Sequence, residues 1–178
     1  MMRRRGLLAS AAALGVPALS GCGFRPLYMP QSGRGGVAET ELSAVYVPVM
    51  AERAGQLLRQ ALQQRLEGPG YGAQKRYELI TNPAIASEGL GIAADSSTTR
   101  FRYNGSANWT LRRLDTARTV LTSGTSRITD GLNIINSQFF AADVETETVT
   151  KRIVEALADQ IVTQVAIFLK RQATPPAK

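Results

Sequence analysis

The sequence has no histidine and a single cysteine, Cys22. Without histidine the chain lacks the usual general base of neutral pH, any Ser-His triad and the ordinary pH switch. One cysteine excludes an intramolecular disulfide, and with no histidine beside it the Cys/His sets that hold zinc are excluded too. Most hydrolase chemistry goes with them, and the chain reads as a non-enzyme with no metal and no cofactor. Also lacking is an unbroken apolar run of the roughly 20 residues a spanning helix needs. The best candidate, GLLASAAALGVPALS, is interrupted by Gly15 and Pro17. What remains, 178 residues of which 44% are hydrophobic and 20% charged, is the composition of one ordinary globular domain.

At the N-terminus the layout is that of an export signal: Arg3, Arg4 and Arg5, the apolar stretch, then small residues before a cut. Leu19-Ser20-Gly21-Cys22 matches the bacterial lipobox, in which the thiol becomes thioether-linked to diacylglycerol and the chain is cleaved on its amino side. That chemistry needs one nucleophilic sulfur beside the bilayer and no second thiol. The competing reading, a free cysteine buried in a core, does not account for the flanking residues. Residues 1–21 are therefore read as a lipoprotein signal peptide, and Cys22 as the acylated first residue carrying diacylglycerol and an N-acyl chain such as palmitate. Arg4-Arg5-Gly6-Leu7-Leu8 leaves the export route open between the general and the twin-arginine pathways. Three acyl chains exceed the two that stable anchoring requires, so the domain is expected to work tethered to a membrane.

Removing the signal takes three of the 21 basic residues and none of the 14 acids, which lowers the formal charge from +7 to +4. A domain so mildly basic, and exported, is not expected to bind nucleic acid. It leaves room for an anionic lipid or glycolipid. Residues 22–41, with MPQSGRGGVAET at 29–40, read as acylated N-terminus and flexible tether, and the Pro-rich residues 172–178 as a disordered tail. The folded part is expected at 42–171.

Within it SAVYVPVM (43–50) alternates Val45, Val47 and Val49 as a strand does, with Pro48 arguing for an edge or a bulge. ERAGQLLRQALQQRLEG places Ala54, Leu57, Leu58, Ala61, Leu62 and Leu66 at helical spacing and stops at Gly68-Pro69-Gly70. KRYELITNPAIASEGLGI is strand-like, with breaks expected at Pro83 and Gly89. RFRYNGSANWTLRRL has the cleanest period of two, with Phe101, Tyr103, Gly105, Ala107, Trp109 and Leu111 on one face. Asp115-Thr116-Ala117 turns it into ARTVLTSGTSRITDG, a hairpin partner. DVETETVTKRIVEALADQIVTQVAIFLKR then reads as a long helix, acidic at its start and basic at its end. The expected fold is α+β: two helices packed on one face of a four-stranded, mostly antiparallel, mixed sheet.

Lipobox followed by GCGFRPLY, the strand-helix-strand-strand-strand-helix order, the alternating strand through Asn108, and NIINSQFFAAD leading into a long C-terminal helix resemble the lipopolysaccharide-assembly lipoprotein family LptE in its alphaproteobacterial form. The resemblance implies a Gram-negative outer-membrane lipoprotein of the periplasmic side, held to the membrane by its lipid anchor. Its implied partners are the LptD β-barrel, which it plugs and helps assemble, and lipopolysaccharide, which it binds during transfer to the outer leaflet. No catalytic residue is implied. In that role Arg100, Arg102, Arg112 and Arg113 are candidate ligands for lipid A or core phosphates, because guanidinium meets phosphate in bidentate fashion. The competing reading makes them a solvated face that discourages edge association. The alternative function is an accessory lipoprotein of an ABC-type lipid transporter.

Other motifs lead nowhere. Gly33-Arg34-Gly35-Gly36 follows no strand and is not a dinucleotide loop, and Gly124-Thr125-Ser126-Arg127-Ile128 lacks the closing glycine of a nucleophile elbow. Glu155 and Asp159 stand one helical turn apart, a spacing that serves a solvated face more often than acid/base chemistry.

Overall fold

A 16-residue strand with one apolar face needs a long cover on that face alone, and the chain supplies it. The computed structural model describes residues 37–67, 73–92, 98–133 and 139–173. They form helix α1 (Val37–Ser43), strand β1 (Val45–Tyr46), helix α2 (Glu52–Leu66), strands β2 (Tyr77–Ile92), β3 (Thr98–Arg113) and β4 (Val120–Asn133), and helix α3 (Phe139–Ala173). The sheet order is β1-β2-β3-β4, with β1 parallel to β2 and the other pairs antiparallel. The fold is α+β, with a four-stranded mixed sheet and helices on one face.

Register decides which side chains meet the helices. Leu79 pairs with Leu111 and Leu111 with Thr122, so the odd residues of β2 and β3 and the even residues of β4 share one face. On that face Leu79, Tyr103, Ala107, Trp109, Leu111, Ser126 and Leu132 are buried. From α2 the core receives Leu58, Ala61, Leu62 and Leu66, and from α3 it receives Ile153, Leu157, Ile161, Val165 and Leu169. Each such aliphatic side chain contributes about 1.5–3 kcal/mol by leaving water. Arg53 pairs with Glu147 and Arg65 Nε donates to Asp159 at 2.5 Å, both contacts spanning 94 positions, so α2 and α3 lie side by side and run parallel.

Several local expectations are revised. Residues 37–41, expected within the tether, begin α1, whose Leu42 is buried and which packs against α3. The strand expected over 43–50 is only Val45–Tyr46; beyond it Val47 is buried and Val49 is 78% exposed, so the alternation does not hold a ladder past Pro48. Pro83 and Gly89 do not break β2, which is continuous. The reason is directional. Tyr77 N–H donates to Ala44 O at 3.1 Å, so the odd-numbered amides of β2 point toward β1, and β1 has ended well before Pro83. The missing N–H of Pro83 therefore falls on an edge with no partner strand among the described residues, where proline costs no ladder bond. α3 begins at Phe139, four residues before the expected Asp143, and reaches Ala173, about 52 Å at 1.5 Å per residue. The expected signal peptide, Cys22 and most of the tail lie outside the described residues.

Two glycines set the packing distance. A Cβ on Gly105 would overlap Ile153 Cγ2, so α3 approaches β3 more closely than any larger residue allows. Opposite Trp109 stands Gly124, where a Cβ would come 2.6 Å from Trp109 Cζ2; the indole lies over that glycine. Gly105→Ala is expected to destabilise the domain by about 1–3 kcal/mol. Combined with Ile153→Ala it should cost clearly less than the sum of the two single changes, because the methyl that clashes is gone. Chemical denaturation of the four proteins of this double-mutant cycle measures the coupling.

Candidate functional site

The second face of the sheet carries the even residues of β2 and β3 and the odd residues of β4, and none of the described helices covers it. Its rows run across the strands. Asn82 pairs with Asn108 and Asn108 with Thr125; Ala84 with Ser106 and Ser106 with Arg127; Ala86 with Asn104 and Asn104 with Thr129; Glu88 with Arg102. Thr125 Oγ1 donates to Asn108 Oδ1 at 2.8 Å, and Thr129 Oγ1 to Asn104 Oδ1 at 2.9 Å. Each asparagine thus uses its carbonyl oxygen across the sheet and keeps its amide N–H groups for something else. The surface is mostly polar, with small alanines along β2 and an exposed large aliphatic side chain, Ile80, near its Glu78 end.

The four arginines singled out from the sequence do not converge. Arg100 and Arg113 are thirteen residues apart on one strand, about 44 Å at the antiparallel rise. Arg100 and Arg102 lie together on the open face, exposed, with Arg102 Nη1 3.9 Å from Glu88 Oε2. Arg112 Nε donates to Glu78 Oε2 at 2.6 Å, and Arg118 Nη1 joins the same oxygen at 3.0 Å; Glu78 is 7% exposed. That triad ties the β3–β4 turn to β2. Arg113, an odd residue, points toward the helix side beside Tyr77. Arg127 was not singled out as a ligand, yet it stands exposed on the open face in the row of Ser106. Finding it requires the β3–β4 register, because the odd residues of β4 join the even residues of β3 only once the hairpin is closed.

Of the two carboxylates dismissed for acid/base work, Asp159 holds Arg65; one ion pair further toward the start of α3, Glu147 holds Arg53, and the two pairs bracket the helices. At the α1–β2 corner Glu41 accepts from Arg76 at 2.8 Å and from the Tyr77 hydroxyl at 3.0 Å. Burial first, and then that bond to a carboxylate, push the Tyr77 phenol above its ordinary 10.0. Among the described residues no group of three His, Cys, Asp or Glu side chains stands where it could hold a metal ion, and no helix is long and apolar enough to cross a membrane. The open face presents hydrogen-bonding and charged side chains.

An α+β domain with helices on one face and a donor-rich sheet face left open is a binding module in form. The model of the LptE family, described as lipopolysaccharide assembly, matches residues 42–165, and the chain belongs to that family. Its role lies in lipopolysaccharide assembly, and the family is one of non-enzymatic lipoproteins. No curated protein matches the chain. Among solved structures, a lipoprotein-like protein of Caulobacter crescentus CB15 is 20% identical, with a TM-score of 0.61, covering 80% of this chain and 100% of that one. Rare lipoprotein B from Shewanella oneidensis is 10% identical with a TM-score of 0.54, covering 73% and 97% of the two chains. An uncharacterized lipoprotein B from Nitrosomonas europaea is 17% identical with a TM-score of 0.50, covering 75% and 88%. These likenesses are of fold.

Two outcomes are expected here. Glu78→Gln should destabilise the domain by about 1–3 kcal/mol, more than an exposed pair is worth because one partner is buried, measured by denaturant unfolding. A raised phenol pKa holds its proton more tightly in the folded state. The stabilisation linked to Tyr77 is therefore complete below pH 10 and is lost as pH rises through the raised value. Thermal unfolding of Tyr77→Phe should show a shallower loss of stability above pH 10 than the parent.

Proposed function

We propose that this chain is an outer-membrane lipoprotein of the periplasmic side, anchored through acylated Cys22. It occupies the lumen of the LptD β-barrel, helps that barrel to fold, and binds lipopolysaccharide on its way to the outer leaflet. The observation that carries the reading is the one-sided architecture of a chain in the lipopolysaccharide-assembly family: helices seal the apolar face, and the other face is left polar. A barrel lumen is polar, so a domain seated in it needs polar surface of this kind. The asparagine-threonine rows provide donors and acceptors without unpaired buried charge.

Lipopolysaccharide offers phosphates and many hydroxyls. Arg100 and Arg102, exposed at one end of the open face, are the proposed phosphate ligands, and the asparagine amides are suited to the saccharide. Arg112 and Arg113, named with them from the sequence, stand at the far end of β3, Arg112 already in the Glu78 triad. The alternative, an accessory lipoprotein of an ABC-type lipid transporter, predicts a different partner.

The full-length acylated chain, purified under mild detergent from a bacterial envelope, is expected to bring with it a large heat-modifiable outer-membrane barrel. Recovery of an inner-membrane ATPase complex instead would contradict the proposal. Reversing Arg100 and Arg102 to Glu should weaken lipopolysaccharide binding about tenfold or more in a purified assay, since each charge-assisted bond is worth about 1.5–3 kcal/mol; unchanged affinity would remove both residues as ligands.

A further inference from the structure

The sheet has two outer edges, and they are not alike. β1 covers β2 only at Tyr77 and Glu78. Farther along, Pro83 removes one outward amide and the pairing with β3 is irregular at Gly89–Ile92. Proline and bulges are the ordinary means of closing an edge to further strands. β4 has neither over its central length: its pairing with β3 runs without irregularity from Thr122 to Asn133.

The direction of its backbone groups follows from the ladder. Tyr77 N–H points to β1, so Glu78 and Arg112 bond each other, and the odd residues of β3 bond to β4. The even residues of β4 return those bonds, and Ser123, Thr125, Arg127, Thr129 and Gly131 point their N–H and C=O outward. Gly131 confirms the direction, because its outward N–H donates to the Asp130 carboxylate at 2.8 Å, which closes that end. Among the described residues nothing pairs with the outward groups of Ser123 to Thr129. The Thr125 and Thr129 hydroxyls are turned across the sheet to Asn108 and Asn104, so they do not cap the edge. At its centre stands Arg127, exposed, with no carboxylate partner among the described residues.

The geometry points to β4 as a strand-addition site: an extended segment of a partner protein pairs along Ser123–Thr129 and brings a carboxylate into register with Arg127. Main-chain bonds, two for each outward residue, supply the affinity, and the Arg127 pair fixes the register. Small or hydroxyl side chains on the partner suit Ser123, Thr125 and Thr129. The inference rests on the proposed function for the partner's class, a protein built of strands.

The test uses the acylated chain alone and in complex with the outer-membrane barrel that copurifies with it. Residue-resolved hydrogen exchange should show the amides of Ser123, Thr125, Arg127 and Thr129 slowed at least tenfold in the complex, and those of Thr81 and Ile85 on the β2 edge unchanged. Thr125→Pro deletes one outward N–H and no ladder bond, as Pro83 does on the other edge, and should lower barrel retention at least tenfold. Arg127→Glu, which leaves the backbone untouched, should do the same whether or not the proline variant folds. A recovered barrel with the four amides unprotected overturns the inference and leaves the functional proposal standing. Protection of the same amides in the chain alone, with self-association, assigns the edge to a second copy and overturns the heterologous partner. Recovery of no barrel overturns both.

Discussion

The contact of Ile153 with the bare backbone of Gly105 sets how closely α3 approaches the sheet, and the rest of the domain is arranged around that closeness. Around that contact α3 buries Leu157, itself beside Gly105, and farther along Ile161 and Val165. α2 then fits beside α3 in the same direction, bracketed by Arg53 with Glu147 and Arg65 with Asp159. These ion pairs are exposed and fix alignment more than they add stability, which comes from the apolar area between helices and sheet. One face carries the whole core. The other is polar over most of its length and is not covered by any described helix.

Much of this was legible in the sequence, because the periods that carry it are physical. β3 alternates without exception from Tyr103 to Leu111, where the odd positions are the buried ones, and Phe101 before them is half-buried. The α2 stripe at Leu58, Ala61, Leu62 and Leu66 is buried as its spacing predicts. What could not be read locally depends on neighbours in space. Pro83 looks like a break until β1 is known to end at Tyr46, leaving that side of β2 without a partner among the described residues. Residues 37–41 read as tether because Gly-rich residues precede them, whereas tertiary contact with α3 holds them helical. Arg112 looks identical to Arg102 in the strand pattern; only the register with β2 sets Glu78 opposite Arg112 and removes it from the open surface. Arg127 was hidden for the converse reason, since its parity matches the open face only after the hairpin forms.

Membership of the lipopolysaccharide-assembly family and the architecture point the same way. Two of the acids, Glu147 and Asp159, serve to bracket the helices, and the family is one of non-enzymatic lipoproteins. The two sheet edges sharpen that picture: one is closed by proline and irregular pairing, the other is long, regular and centred on a charged residue. An outward-facing polar sheet that also exposes a pairing edge is suited to an enclosed, strand-rich surrounding.

The account therefore stands on the open sheet face being the working surface. A cysteine at Ala84, exposed and free of side-chain bonds in the centre of that face, reports on it directly when treated with a membrane-impermeant maleimide. Rapid labelling of the purified chain and strong shielding in native outer membranes opened to the reagent is the result the account predicts. Equal labelling in both settings would contradict it.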